Sequence, residues 1–367
     1  MTDSAPSTAP LALFETLPST RRIPHIPLAT LPTPIKYLEK LGSEVGCRSL
    51  WVKCDDQSGT EYGGNKVRKL EFLLGEALAQ NYKEVWTVGA IGSHHALATA
   101  IYARKVGLRP AILHFPQPIT EHVRNNLRAI CSTDPKLTLA SNKLTLPFEV
   151  GKAKMQQWLS SAHNIYYIPG GGSSATGVLG YVNAAFELKQ QIERGESVMP
   201  DYIFVAAGTC GTLAGLILGA KMAGLSSQII GVRVVDKLMT NAPITAHLAN
   251  SAGKIMRAHG VEDIPHISGA EVTILDDYFG EDYGKPTTEG VAAMALCAEC
   301  SPIELEPTYT GKAFAAIIGE RERLDLANKN VLYWHTLSSA DLSARIASAD
   351  VPRDLPAGYQ KFFEDPL

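Results

Sequence analysis

No stretch of this sequence stays apolar for the ~20 residues that a bilayer crossing needs, and no block of lysine and arginine stands out as a surface for a phosphate backbone. Charge is sparse, at 19% of 367 residues, and nearly balanced at a net −3, so nucleic acid is not an expected partner and small molecules are. Cysteine is scarce too. Cys47, Cys54, Cys131, Cys210, Cys297 and Cys300 are scattered rather than spaced as a secreted disulfide framework, which fits a reducing compartment. Cys297 and Cys300 form a C-x-x-C, but no second pair or histidine follows at zinc spacing and Val291 to Leu296 read as a packed helix, so no metal is expected. The N-terminus lacks the charged-then-apolar order of a signal peptide, and a cytoplasmic location is the expectation. Also missing are G-x-G-x-x-G and a Walker lysine, which argues against a dinucleotide or ATP.

What is present is a 45% hydrophobic chain long enough for two domains. Residues 1–23 are polar and rich in Ser, Thr, Ala and Pro, the composition of a loosely held arm. From Val85 onward short apolar runs alternate with helical periods: strands at 85–88, 111–115, 165–168, 203–207, 229–235 and 331–335, helices at 96–106, 148–159 and 180–192. That order predicts an α/β fold of parallel sheets flanked by helices, with ligands at the carboxyl ends of strands. Gly170 to Ser174 is the clearest break and reads as a hinge. The expected division is 24–66 with 180–367 as the larger domain and 67–179 as the smaller.

Gly63-Gly64-Asn65-Lys66-Val67-Arg68-Lys69-Leu70-Glu71 sets a lysine behind a bare glycine pair and at the head of an apolar helix. The glycines permit positive φ and close approach to a flat ligand, while Leu70, Phe72, Leu73, Leu74, Ala77 and Leu78 supply the buried stripe. A lysine desolvated in such a setting becomes a nucleophilic amine able to form a Schiff base with a carbonyl cofactor, for which pyridoxal phosphate is the obvious candidate. Gly208-Thr209-Cys210-Gly211-Thr212 leaves a strand and opens a helix, where N–H groups and hydroxyls can cradle one phosphate monoester. Gly89 to Ser93 does the same; its N–H groups and the Ser93 hydroxyl suit an amino-acid carboxylate, although Ser93 also reads as an ordinary N-cap. His94 and His95, adjacent on a helix, face different directions and make a poor metal site. Tyr283 and Tyr309, both near glycines, are candidates for proton transfer or ring contact.

Taken in order, Leu31-Pro32-Thr33-Pro34, Lys53-x-Asp55-Asp56, Gly63 to Glu71, Gly89 to Ser93, Gly208 to Gly215, Tyr283-Gly-x-Pro286, Tyr309-Thr-Gly-Lys312 and Tyr333-Trp-His-Thr336 resemble the 1-aminocyclopropane-1-carboxylate deaminase and D-cysteine desulfhydrase family. That is a tryptophan-synthase-β-like, fold-type II group of pyridoxal-phosphate enzymes with the cofactor in a cleft between two domains. The resemblance covers nearly all of the chain from about residue 26 onward. It implies that Lys66 carries the cofactor, that Lys69 with Gly208, Thr209, Cys210, Gly211 and Thr212 holds its phosphate, and that Asn65 and His94 also touch it. Ser93 would meet the substrate carboxylate and assist proton transfer, with His94, His95, Tyr283 and Tyr309 lining the substrate side. Thr310 falls where a side chain contacts the pyridine nitrogen, and a neutral hydroxyl there favours β-elimination over cyclopropane ring opening.

The activity so implied is a lyase reaction releasing a 2-oxo acid and ammonia from a small amino acid, in a homodimer. Deaminase, dehydratase and β-replacement activities, or a catalytically silent cofactor-binding protein, are the alternatives. Three positions depart from the family pattern: His94 stands for an asparagine, Cys210 for a glycine, and Leu337-Ser338 for a glycine pair.

Overall fold

Strands whose two faces are both apolar can be stable only with helices on each side, and the chain meets that need with two sheets, each in its own compact unit. The computed structural model describes residues 10–140, 146, 148–151, 165–349, 355 and 358–364. Its strands are β1 (Ile35–Tyr37), β2 (Ser49–Cys54), β3 (Glu84–Ala90), β4 (Arg109–Phe115), β5 (Lys136–Leu139), β6 (Ile165–Ile168), β7 (Tyr202–Ala207), β8 (Gln228–Arg233), β9 (Thr273–Leu275) and β10 (Asn330–His335). The helices are α1 (Ala12–Thr16), α2 (Glu39–Val45), α3 (Asn65–Ala79), α4 (His94–Lys105), α5 (Glu121–Cys131) and α6 (Ala175–Glu193). They continue with α7 (Gly211–Ala223), α8 (Ala242–Ala258), α9 (Thr288–Cys300), α10 (Thr310–Gly319), α11 (Ser343–Ser348) and α12 (Lys361–Glu364). None of the described helices is long and apolar enough to cross a membrane.

The first unit comprises Met1–Ile23, Pro27–Phe72 and Ser173–Ala340. Its six-stranded sheet runs β1-β2-β10-β7-β8-β9, antiparallel only between β1 and β2. The period of two along each strand divides the core. Ile203, Val205 and Ala207 of β7 with Leu332 and Trp334 of β10 pack against α6, α7 and α8, while Phe204, Ala206, Val331 and Tyr333 pack against α9 and α10.

The second unit comprises Pro24–Ile26, Leu73–Gly172 and Asp341–Leu367, around the all-parallel sheet β5-β4-β3-β6. Its central segment lies within the expected 67–179, and it also takes in 24–26 and 341–367, which were expected in the larger domain. His25 lies so close to Gly75 that a Cβ there would meet its backbone at 2.7 Å, and Tyr359 is buried with its hydroxyl 2.9 Å from His114 Nδ1. Residues 10–23, expected as a loose arm, are docked: Leu13 is fully buried and its N–H donates to Asn183 Oδ1 at 3.0 Å. Residues 1–9, and 152–159 of the helix expected at 148–159, lie outside the described residues.

A buried ion network ties the first unit together directly behind the Lys66 motif. The Arg68 guanidinium bridges Asp55 (2.7 Å) and Glu187 (2.9 Å), and Lys53 donates to Glu187 and to the Thr33 carbonyl, both at 2.6 Å. Tyr181 and Trp334 donate to Asp55 at 2.6 and 2.8 Å. Two cations thus face two carboxylates, and β2, α3, α6 and β10 are joined in one fixed arrangement. Burial alone would raise the Glu187 pKa, but Arg68 and Lys53 outweigh it and hold the carboxyl well below its usual range.

Candidate active site

At the carboxyl end of β2 the chain turns through Gly63 and Gly64 into α3. A Cβ at Gly63 would lie 2.0 Å from the Asp56 carbonyl, and Gly64 has φ +81° with the Thr336 carbonyl 2.8 Å from where its Cβ would be. Only glycine fits either position. The Gly63 N–H donates to Ser338 Oγ at 2.9 Å, so one residue that departs from the family pattern locks this turn. Lys66 is half-buried and donates to Asn65 Oδ1 at 2.5 Å, while Asn65 Nδ2 donates to Thr212 Oγ1 at 3.0 Å. Burial draws the Lys66 pKa down to about 8, against the attraction of Glu306.

The Gly208–Thr212 loop follows β7 and leads into the 13 residues of α7. Ser173 Oγ lies 2.7 Å from Thr209 Oγ1 and accepts the Gly211 N–H at 3.1 Å. A Cβ at Gly211 would meet Ser173 Oγ at 2.5 Å and Lys69 Nζ at 3.1 Å, so the bare glycine keeps this concavity open. Burial pulls the Lys69 ammonium well below its usual range, and the neighbouring Lys66 charge adds to the effect. A bound anion would act in the opposite direction and favour the charged ammonium. Cys210 adopts φ +65° and turns its Sγ toward the Met239 carbonyl at 3.5 Å, so only its backbone is left for the loop. Thr212, expected at the phosphate, is engaged by Asn65.

Tyr283 and Tyr309 meet edge to face with hydroxyls 2.5 Å apart. Burial raises Tyr283 to about 12 and Tyr309 well above its usual range, so both phenols keep their protons at neutral pH. Tyr309 also brings its ring edge within 3.7 Å of where a Gly208 Cβ would stand. Thr310 is buried at the start of α10, and its Oγ1 accepts the Glu306 N–H at 2.7 Å. The Glu306 carboxylate, also buried, accepts N–H groups from Thr308 (2.8 Å), Tyr309 (2.7 Å) and Thr310 (2.7 Å).

In the second unit Ser93 caps α4, accepting the Ala96 N–H at 3.3 Å, at the carboxyl end of β3. His94 Nε2 lies 3.1 Å from His122 Nε2, which also faces Asn126 Nδ2 at 3.2 Å. That amide donates to the Gly92 carbonyl at 3.0 Å as well as facing the His122 ring nitrogen. His95, expected beside substrate, is buried: Thr87 gives its one hydroxyl proton to the Ile168 carbonyl at 2.9 Å and therefore accepts from His95 Nε2 at 2.8 Å. This histidine anchors α4 to the sheet. The histidine pair does not gather further ligands, and no cluster of three or more metal-ligating side chains occurs among the described residues.

Sequence reasoning missed Ser173, Ser338 and Glu306. The Ser-Ser after the glycine run and the acidic residue four positions before Thr310 were the available signals.

A desolvated amine beside a cradle of two hydroxyls, helix N-terminal N–H groups and a second ammonium is a donor set for a phosphate monoester bearing an aldehyde, and the residues present fit pyridoxal phosphate. Comparison with known proteins agrees. A family model described as pyridoxal-phosphate dependent enzyme matches residues 26–336. D-cysteine desulfhydrase of Klebsiella pneumoniae (strain 342) is 34% identical over 320 residues, 86% of this chain and 94% of that one. The crystal structure of an ACC deaminase homologue superposes with TM-score 0.76 at 28% identity, over 93% of this chain and 100% of that one. A fungal L-serine ammonia-lyase from Rhizomucor miehei shares the fold, at TM-score 0.57 and 18% identity over 87% of this chain and 97% of that one. With its Lys66 turn, its anion cradle and a match spanning both units, the chain belongs to the pyridoxal-phosphate dependent enzymes, in their fold-type II architecture.

Proposed function

We propose that this protein is a lyase that removes a β-substituent and the amino group from a small amino acid, giving a 2-oxo acid and ammonia, with D-cysteine or β-chloro-D-alanine as model substrates. It acts as a homodimer in the cytoplasm. The observation that carries this reading is the Lys66 amine, drawn down to about 8 on the same helix as Lys69, whose Nζ borders the Gly211 cradle. A relative named D-cysteine desulfhydrase at 34% identity supports it.

When bound, pyridoxal phosphate supplies an electron sink for the charge left at Cα. Lys66 holds its aldehyde, and the same amine, with a pKa near neutrality, is suited to move the proton at Cα. Lys69, Ser173, Thr209 and the Gly211 N–H hold the phosphate, and the Gly89–Ser93 turn receives a carboxylate. Tyr283 and Tyr309, kept protonated, donate to a departing β-substituent rather than abstract a proton. Thr310 offers the ring nitrogen a neutral hydroxyl, which favours prompt elimination over a long-lived carbanion.

The test is release of 2-oxo acid and ammonia by cofactor-loaded protein from D- and L-cysteine, β-chloro-D-alanine, D-serine and 1-aminocyclopropane-1-carboxylate. Turnover of a β-substituted D-amino acid without ring opening is expected. Silence toward every β-substituted amino acid, or turnover of the cyclopropane alone, would contradict the reading.

A further inference from the structure

The segment from Tyr278 to Tyr283 is fastened to α10 at three points. Tyr283 meets Tyr309, the residue just ahead of the helix, through hydroxyls 2.5 Å apart. Lys312, one turn further on, donates from Nζ to the Phe279 carbonyl at 2.6 Å. At the far end of the helix the Tyr278 hydroxyl donates to Glu320 Oε1 at 3.1 Å, over Gly319, where even a Cβ would clash with that hydroxyl. Segment and helix therefore run in opposite directions. The middle point is a charged one: Lys312 is fully buried, and its ammonium forms no ion pair among the described residues. Its Nζ also lies 5.3 Å from the centre of the Phe279 ring, which carries the Arg233 guanidinium at 4.8 Å, and Arg233 holds Asp276 at 2.7 Å. Two cations thus grip Phe279, one of them by ring and carbonyl together. A methionine would fill the room of Lys312 without the cost of burying a charge, so what the ammonium adds is its hold on Phe279. Beyond Phe279, Gly280 and Gly284 stand at φ +76° and +81° on either side of Tyr283, so this stretch has little stiffness of its own and its anchors place the phenol.

We propose that Lys312 is a positioning residue of this site, which by holding Phe279 against α10 sets the Tyr283 phenol beside Tyr309. The task of Tyr283 at a departing β-substituent rests on the lyase reading above; the hold on the segment does not. Glu306 and Asp282 favour the Lys312 charge against the effect of burial, so the ammonium is supported from the turn before α10 and from the segment it holds. A lysine that only filled the core would, when replaced, loosen α10 itself. One that holds the segment would loosen residues 276–286 and leave the helix as it was.

The experiment uses the full-length protein loaded with pyridoxal phosphate. Lys312→Met and Lys312→Gln both remove the ammonium and fill its room differently, so that one remains if the other fails to fold. Backbone hydrogen exchange should become roughly tenfold faster in residues 276–286, while α10 and β10 keep their wild-type rates. With β-chloro-D-alanine as substrate, kcat should fall roughly tenfold and KM change less than about twofold. In a Tyr283→Phe background the same replacements should cost less than about twofold more, because the phenol they misplace is already gone. Unchanged exchange in 276–286, or exchange raised throughout α10, would overturn the hold of Lys312 on the segment. A full tenfold loss in the Tyr283→Phe background would overturn its link to Tyr283. A wild-type protein that turns over no β-substituted amino acid would overturn the lyase reading instead, and the exchange rates alone would then decide for or against the hold of Lys312.

Discussion

Asn65 accepts the Lys66 ammonium at 2.5 Å through Oδ1 and passes its own amide proton to Thr212, so the lysine is oriented by a neighbour that is itself anchored to α7. Asn65→Ala removes both bonds at a buried position. The expected cost is about 1–2 kcal/mol in cofactor affinity, read as a roughly tenfold rise in the dissociation constant for pyridoxal phosphate, with little change in thermal stability. Unchanged affinity would show that Lys66 needs no such guide.

Gly211 lines the anion cradle between Ser173 and Lys69. A methyl group there stands 2.5 Å from Ser173 Oγ and 3.1 Å from Lys69 Nζ. Gly211→Ala should fold, because Ser173 can rotate aside, yet lose at least tenfold in affinity for pyridoxal phosphate as the Gly211 and Thr209 bonds to Ser173 are broken. Binding of pyridoxal, which lacks the phosphate, should change less. Equal losses for both would place the damage elsewhere.

The Arg68–Glu187 pair predicts a pH-dependent stability. Removing one member strands a buried charge, so Arg68→Met should destabilise the protein by about 3–5 kcal/mol in denaturant unfolding. Because the Glu187 pKa is depressed in the folded state, its contribution is present above the unfolded carboxylate value of about 4.3 and is lost as pH falls below it. The difference in melting temperature between wild type and Glu187→Gln should therefore be constant above about pH 5 and narrow as pH falls below that. A difference that stays constant would show that the pair does not depress Glu187.

What could be read in advance was local. The Gly63–Glu71 stretch, the Gly208 loop and the strands at 203–207 and 331–335 carry their signals within a few residues, and each stands where the pattern put it. Strand β2 was not legible, because Lys53 interrupts its apolar run with a charge whose partners, Glu187 and Gln191, are 134 and 138 residues away. Ser173 reaches the Gly211 N–H across 38 positions, and Ser338 reaches Gly63 across 275. The resemblance set His95 on the substrate side, and nothing in the local sequence announced its bond to Thr87 in the sheet. Side chains that act across the fold leave no spacing in the sequence to be recognised by.

The central claim is that Lys66 is the residue that binds pyridoxal phosphate. Reducing the purified holoprotein with borohydride and mapping the labelled peptide by mass spectrometry tests it directly. The account predicts one pyridoxyl group on the Lys66 peptide, and loss of both the label and the visible absorbance in Lys66→Ala with the fold intact. A label on Lys69 or on any other lysine in the wild-type protein would contradict it.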